Sequence, residues 1–158
     1  RLVLNVSHTH SGPVAGLVLM PLYDLNAQQL EVVRRYTGAL IEKTLGSIGA
    51  AIQNLAPATL GFGQGLAGIA VNRRRVRLRS LPGPVDPDVP VLSVRDATGK
   101  LQAVAVGYAA HATTLGDYLI NGDWPGFALE EIEKAQPGAD RVVHPGLRRR
   151  CQCPPAAR

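Results

Sequence analysis

Across residues 26–55 the positions Leu30, Val33, Thr37, Leu40, Ile41, Thr44, Ile48, Ile52 and Leu55 recur at the spacing of one helix face. This predicts one long amphipathic helix. Asn26 can cap its start and Pro57 stands just past its end, while Gly46 and Gly49 mark its weakest stretch. The helix therefore reads as scaffold. After it come short apolar runs at residues 59–62, 68–71, 90–94 and 101–109, separated by stretches rich in Gly, Pro and Asp, as strands and turns are. Asp96-Ala97-Thr98-Gly99 predicts a hairpin between the last two, residues 2–6 read as a leading strand, and a second helix is predicted over 125–135. The expected fold class is α/β: a mixed sheet with flanking helices, in an incomplete domain.

The chain of 158 residues, 46% hydrophobic, is long enough to bury one core. No apolar run reaches the roughly 20 residues of a membrane span; residues 12–25 are broken by Pro13, Pro21 and Asp24. Because the sequence opens at Arg1 directly into an apolar run, it is expected to begin inside a domain, with any leader segment lost. Cys151 and Cys153 are one residue apart, a spacing poorly suited to a disulfide and one short of a zinc knuckle, so the redox compartment stays open. The net charge of +5 comes mainly from Arg73, Arg74, Arg75, Arg77 and Arg79, then Arg141, Arg148, Arg149, Arg150 and Arg158. No aromatic residues interleave with the first cluster, as single-strand nucleic-acid binders require, and nucleic acid is not the expected partner.

His8-Thr9-His10-Ser11-Gly12-Pro13 follows the first apolar run directly. In an extended segment residues two apart face one side, so His8 and His10 are expected to project together, with the Ser-Gly-Pro turning the backbone away. Such a pair suits a metal or an oxyanion, although two ligands are too few for a closed zinc site and an isolated His-x-His is commonly a surface pair. His111 closes the run at 101–110 and is followed by Ala112, Thr113 and Thr114. Catalytic zinc sites commonly take three protein ligands from distant strand ends and leave a position open, so His111 tilts the reading toward a metal, although by itself such a residue is more often a buried, hydrogen-bonded histidine. Arg73, in Asn72-Arg73, can hold an oxygen on which charge develops. Asn121 and Asp123 can orient a ligand histidine or cap the second helix, and for Asp123 the cap is the preferred reading.

Taken in order, Ser7-His8-Thr9-His10-Ser11-Gly12-Pro13, Asn72-Arg73, Tyr108-Ala109-Ala110-His111 and Asn121-Gly122-Asp123-Trp124-Pro125-Gly126-Phe127-Ala128 resemble the N-terminal domain of the neutral/alkaline non-lysosomal ceramidase family, over residues 1–142. The resemblance implies a zinc-dependent amidohydrolase that cleaves the N-acyl amide of ceramide to fatty acid and sphingosine. It makes His8 and His111 zinc ligands and places His10 and Arg73 against the polar oxygens of ceramide or a related N-acyl lipid. It further implies a Glu and a Tyr ligand and a serine beyond the last residue here, so this fragment is expected to be inactive alone. Transient membrane-surface contact fits such a substrate. Secretion or a periplasmic location follows from the resemblance only, and oligomeric state is not set.

Residues 143–158 depart from the resemblance, which predicts a glycine-rich QG-x-GD-like loop there. Back-translating residues 143–154 with freely chosen codons and reading one base later gives F-I-Q-G-C-G-A-D-A-N-A-R, so a frameshift is one account of this aberrant tail. It would remove Arg148, Arg149, Arg150 and Arg158 and bring the net charge from +5 to about +1. Two rivals stand beside the amidase: a non-catalytic remnant that binds an anionic lipid or nucleic acid through its arginines, and a metal-dependent hydrolase of another amide or ester on the same scaffold.

Overall fold

The computed structural model of the chain describes residues 2–72, 83–115 and 118–145. These fall into two compact units, Pro13–Ala56, and Arg1–Gly12 together with Pro57–Arg158.

The first unit is built on α1 (Ala27–Gln53). Its start is fixed by the cap expected from the sequence: the Asn26 side chain accepts from the Gln29 N–H and the Gln29 side chain accepts from the Asn26 N–H, both at 2.9 Å. Two of the donors that a helix N-terminus leaves unpaired are thereby satisfied reciprocally. The preceding segment, which includes a 3-10 turn at Met20–Leu22, is pinned to the helix by the Gly16 N–H donating to the Thr37 hydroxyl at 2.8 Å. That hydroxyl in turn donates to the Val33 carbonyl. Among the described residues no helix is long and apolar enough to cross a membrane.

The second unit is a four-stranded mixed sheet in the order β1 (Thr59–Leu66), β2 (Asp88–Arg95), β3 (Leu101–Tyr108), β4 (Asp140–Pro145). β1, β2 and β3 run antiparallel and β4 joins β3 in parallel, with α2 (Asp123–Ala135) in the crossover. The expected α/β class with a mixed sheet is what forms. The predicted hairpin forms too: Asp96 N–H donates to the Lys100 carbonyl, and Gly99 takes the positive φ of 85° that the turn needs. The Asp96 carboxylate accepts from the Thr98 hydroxyl and from the Thr98 and Lys100 N–H groups, and these bonds, the hydroxyl first, hold its pKa below the ordinary value.

α2 covers one face of the sheet. Tyr108, Ala112, Trp124 and Val143 form its buried core, flanked by Val89, Val106, Leu129 and Ile132. Alternation along a strand puts Phe62, Leu92, Ala105 and Val142, aligned in register, on the opposite face, where Phe62, Leu92 and Val142 are exposed.

Two predicted strands are absent. Among the described residues, 2–6 join no ladder; the Asn5 side-chain amide ties them to the sheet by donating to the Val143 carbonyl at 3.2 Å. Residues 68–71 are also irregular. There the backbone is satisfied another way: the Tyr108 phenol accepts from the Ala70 N–H at 2.8 Å and donates to the Ala67 carbonyl at 3.0 Å. The Ala67 N–H meets the Pro87 carbonyl. Apolar composition marked both runs as buried or extended, but a strand needs a ladder partner, and composition alone does not supply one.

Candidate metal centre

β3 ends at Tyr108, and the chain leaves the sheet through a tight bend in which the Ala110 N–H donates to the Tyr108 carbonyl. Ala112 then anchors the segment in the core, fully buried, and His111 projects beside it. The ring is held by one of its own neighbours, with Nδ1 lying 3.0 Å from the Thr113 hydroxyl.

His8 and His10 come from the other end of the sequence. They do not meet by strand alternation, as extended backbone would predict, because His8 has a left-handed φ of 54° and residues 10–12 form a turn. That region is disfavoured for a residue with a Cβ, so surrounding contacts must hold it. The Thr9 hydroxyl supplies two: it accepts from the Ser11 N–H and donates to the Asn121 carbonyl, each at 3.2 Å. The Asn121 N–H donates back to the Ser11 carbonyl at 3.0 Å.

The three imidazoles converge. Their ring centroids stand 4.8–5.0 Å apart, and one nitrogen of each lies within 4.8 Å of the others. Nε2 of His8 and Nε2 of His10 are 3.4 Å apart. Two ligands of one tetrahedral zinc, each about 2.0–2.1 Å from the ion, are separated by about 3.4 Å, so the His8–His10 pair has the spacing of two such ligands, while the His111 nitrogen lies within 4.8 Å and completes a donor set whose chemistry suits zinc.

The segment before α2 ties the two histidine-bearing segments together. Asp123, 1% exposed, has the second non-glycine left-handed backbone of the described residues, with φ 53°. Its Oδ1 accepts from the Thr114 hydroxyl and the Trp124 N–H, both at 2.7 Å, and from the Thr114 N–H at 3.2 Å; its Oδ2 accepts from the Leu115 N–H at 2.9 Å. The Asn121 side chain accepts from the Asp123 N–H. A side chain at Gly122 would be stopped by the Gly126 Cα at 2.9 Å, so the backbone of this turn closes tightly on itself.

No protein-family model matches the chain. Among curated proteins, the neutral ceramidase of Pseudomonas aeruginosa is 31% identical over 138 residues, which is 81% of this chain and 20% of that protein. The crystal structure of neutral ceramidase from Pseudomonas aeruginosa matches with a TM-score of 0.57 at 26% identity, over 68% of this chain and 19% of that one. Over the matched residues the chain is similar to the neutral ceramidases. A structure titled as a ceramidase complexed with C2 matches almost as well, with a TM-score of 0.56 at 26% identity, over 68% of this chain and 18% of that one. The chain spans about a fifth of the length of the ceramidases it matches.

Of the residues singled out by sequence, the structure brings together His8, His10 and His111. Arg73, the rest of its cluster and the tail from residue 146 lie outside the described residues; Asn72, beside Arg73, donates to the Pro84 carbonyl. Of the second arginine cluster, Arg141 is described, and it pairs with Glu133 on α2 at 2.5 Å. The preferred capping reading of Asp123 needs correction. Gly122 is the N-cap of α2 and the helix has no side-chain cap; Asp123 is already its first residue, and most of its bonds go to the segment after His111. Sequence reasoning gave Thr113 no role, although a hydroxyl two residues after a histidine in irregular chain is within reach of that ring.

Burial raises the pKa of Asp123, but the Leu115 N–H, the Thr114 hydroxyl and the Trp124 and Thr114 N–H groups together bring it below its ordinary value of 3.8. A depressed folded-state pKa makes the charged carboxylate a stabilising group above the unfolded-state value, with that stability lost as pH falls through the folded one. The Asp123 contribution should therefore be constant from about pH 7 to pH 5 and decline below about pH 4. Melting temperature followed across that range for the wild type and Asp123→Asn checks this: the gap between them should narrow in acid, and a gap independent of pH contradicts it.

Proposed function

We propose that this chain supplies part of the zinc centre of an amidohydrolase of the neutral ceramidase type, which cleaves the N-acyl amide of ceramide or a related lipid. The observation that carries the reading is the meeting of His8, His10 and His111, from segments remote in sequence, on a chain similar to a neutral ceramidase. His8 and His111 would hold the zinc through neutral imidazole nitrogens. When bound, zinc supplies Lewis acidity, activating a water and polarising the amide carbonyl.

The rest falls to this chain's own groups. His10, beside both ligand histidines, can donate a ring N–H to a substrate oxygen near the scissile amide, and Arg73 can hold an oxygen as charge builds on it. Water adds to the carbonyl carbon, the C–N bond breaks, and the leaving amine takes up a proton. The Thr113 hydroxyl on Nδ1 of His111 keeps that ring from turning while this happens. Two ligand histidines leave zinc open to solvent, so turnover is expected from the longer polypeptide and not from these 158 residues alone.

The gene decides how to test this. Reading it from the codon for Asp140 onward is expected to restore, in the next frame, a glycine-rich loop in place of the tail from Val143. The protein so encoded should release fatty acid from ceramide, lose that activity on chelation and regain it with zinc. Amide hydrolysis unaffected by chelation, or no hydrolysis of any N-acyl lipid by the zinc-loaded protein, would overturn the proposal.

A further inference from the structure

We infer that Asp123 is a positioning residue that holds the His111 segment in place before any ion arrives, an inference that rests on the zinc reading for its consequence but not for its geometry. The turn Asn121-Gly122-Asp123 has a contact to each side of the histidine cluster. On one side its backbone exchanges hydrogen bonds with Thr9 and Ser11, which flank His10. On the other, the Asp123 carboxylate gathers the N–H groups of Thr114 and Leu115 and the Thr114 hydroxyl, immediately after the His111 and Thr113 pair.

Four features make this a built device. Asp123 is almost wholly buried, so its charge has been taken out of water and is retained only because donors surround it. All four of its partners are donors, and a carboxylate is the side chain that accepts at both ends. Its backbone is left-handed, a conformation kept only where surrounding contacts over-determine it. The other non-glycine residue of the described chain with that conformation is His8, within the same cluster. The two departures from ordinary backbone are thus linked through Asn121, whose backbone bonds to Thr9 and Ser11 and whose side chain accepts from the Asp123 N–H.

The variant that isolates this role is Asp123→Asn. Asparagine tolerates the left-handed backbone and keeps the volume, but its NH2 would face the Leu115 N–H or the Thr114 donors, one of which must be released. Ile132→Ala, on the same helix and against the same core but with an apolar side chain that makes none of these hydrogen bonds, is the control for simple loss of stability. Two readouts apply to the 158-residue chain. In metal-free protein, amide hydrogen exchange at Thr114 and Leu115 should speed up at least tenfold in Asp123→Asn, with β3 amides little changed. With cobalt(II) as a spectroscopic probe, affinity should fall about 10–100-fold, the range for losing a group that orients a ligand. Ile132→Ala should change it less than threefold even if its melting temperature falls further.

Unchanged exchange at Thr114 and Leu115 overturns the inference, as does an equal loss of cobalt affinity in Ile132→Ala. If wild type binds no cobalt and His8→Ala behaves identically, the zinc reading fails, and the metal-free exchange alone decides whether Asp123 positions the segment.

Discussion

Zinc affinity should fall by roughly 100-fold or more when His111 is replaced by alanine, because loss of a ligand must exceed the about 10–100-fold cost of losing an outer-shell partner. At about 1.4 kcal/mol per tenfold, that is about 3 kcal/mol of binding free energy. The expectation comes from geometry: His111 is the member that closes the cluster from the β3 side, 4.8 and 4.9 Å from the rings of His8 and His10. Without it the remaining pair, which share one short segment, has nothing opposite. Competition titration against a chromophoric chelator measures the change, with the melting temperature followed in parallel. His8→Ala should match His111→Ala, since both are assigned as ligands. His10→Ala separates two arrangements of the cluster: a loss of less than tenfold leaves His10 to the substrate, while a loss equal to that of His111→Ala makes it a third ligand. Equal zinc affinity in wild type, His8→Ala and His111→Ala would remove the metal from the site.

How much of this was legible in the sequence depended on the range of the forces involved. α1 was readable almost to its ends, because its start rests on bonds between residues three apart, Asn26 and Gln29, and its face on a short-period repeat. The 96–99 hairpin was readable for the same reason: Asp96 and Gly99 settle the turn between themselves and their neighbours. What failed were assignments that hinge on distant partners. Residues 2–6 and 68–71 have strand composition but no ladder, and nothing local shows that the phenol of Tyr108 will serve Ala67 and Ala70 in place of a neighbouring strand. At the site, His8, His10 and His111 are legible as residue types at the ends of apolar runs, and the structure brings the three rings together. The mechanism of convergence is not legible there. Strand alternation would have aligned His8 with His10, whereas a left-handed His8 and a turn bring them together, and the bonds that hold this come from residue 121. Asp123 was seen and assigned a local task, capping, because helix starts are written locally; its bonds to Thr114 and Leu115 are tertiary.

Replacing Trp124 with alanine should cost about 3–5 kcal/mol of stability, the range for removing a large buried aromatic side chain. Trp124 is 9% exposed and meets Tyr108 edge to face, with ring centroids 5.6 Å apart. Such a pair adds roughly 0.5–1.5 kcal/mol beyond its burial. Among the described residues the surrounding core is small, with Tyr108, Ala112 and Val143 as its other buried members, so there is little neighbouring mass to relax into the space left behind. Against a typical domain stability of about 5–15 kcal/mol, the loss is a large share of the whole. Trp124→Phe should behave differently. The indole Nε1 is buried and finds no acceptor among the described residues, and an unpaired buried donor costs about 1–3 kcal/mol. Phenylalanine gives up volume but also removes that N–H, so its cost should be about 1 kcal/mol or less, the two effects nearly offsetting. Calorimetry on the two variants tests the argument, since Trp124 is the only tryptophan and its own fluorescence is lost with it. A Trp124→Phe variant as unstable as Trp124→Ala would mean that the indole N–H has a partner in solution. A Trp124→Ala variant that melts like wild type would mean that α2 is not held to the sheet by this side chain, and the account of how the Asn121-Gly122-Asp123 turn is kept against the end of β3 would lose its support.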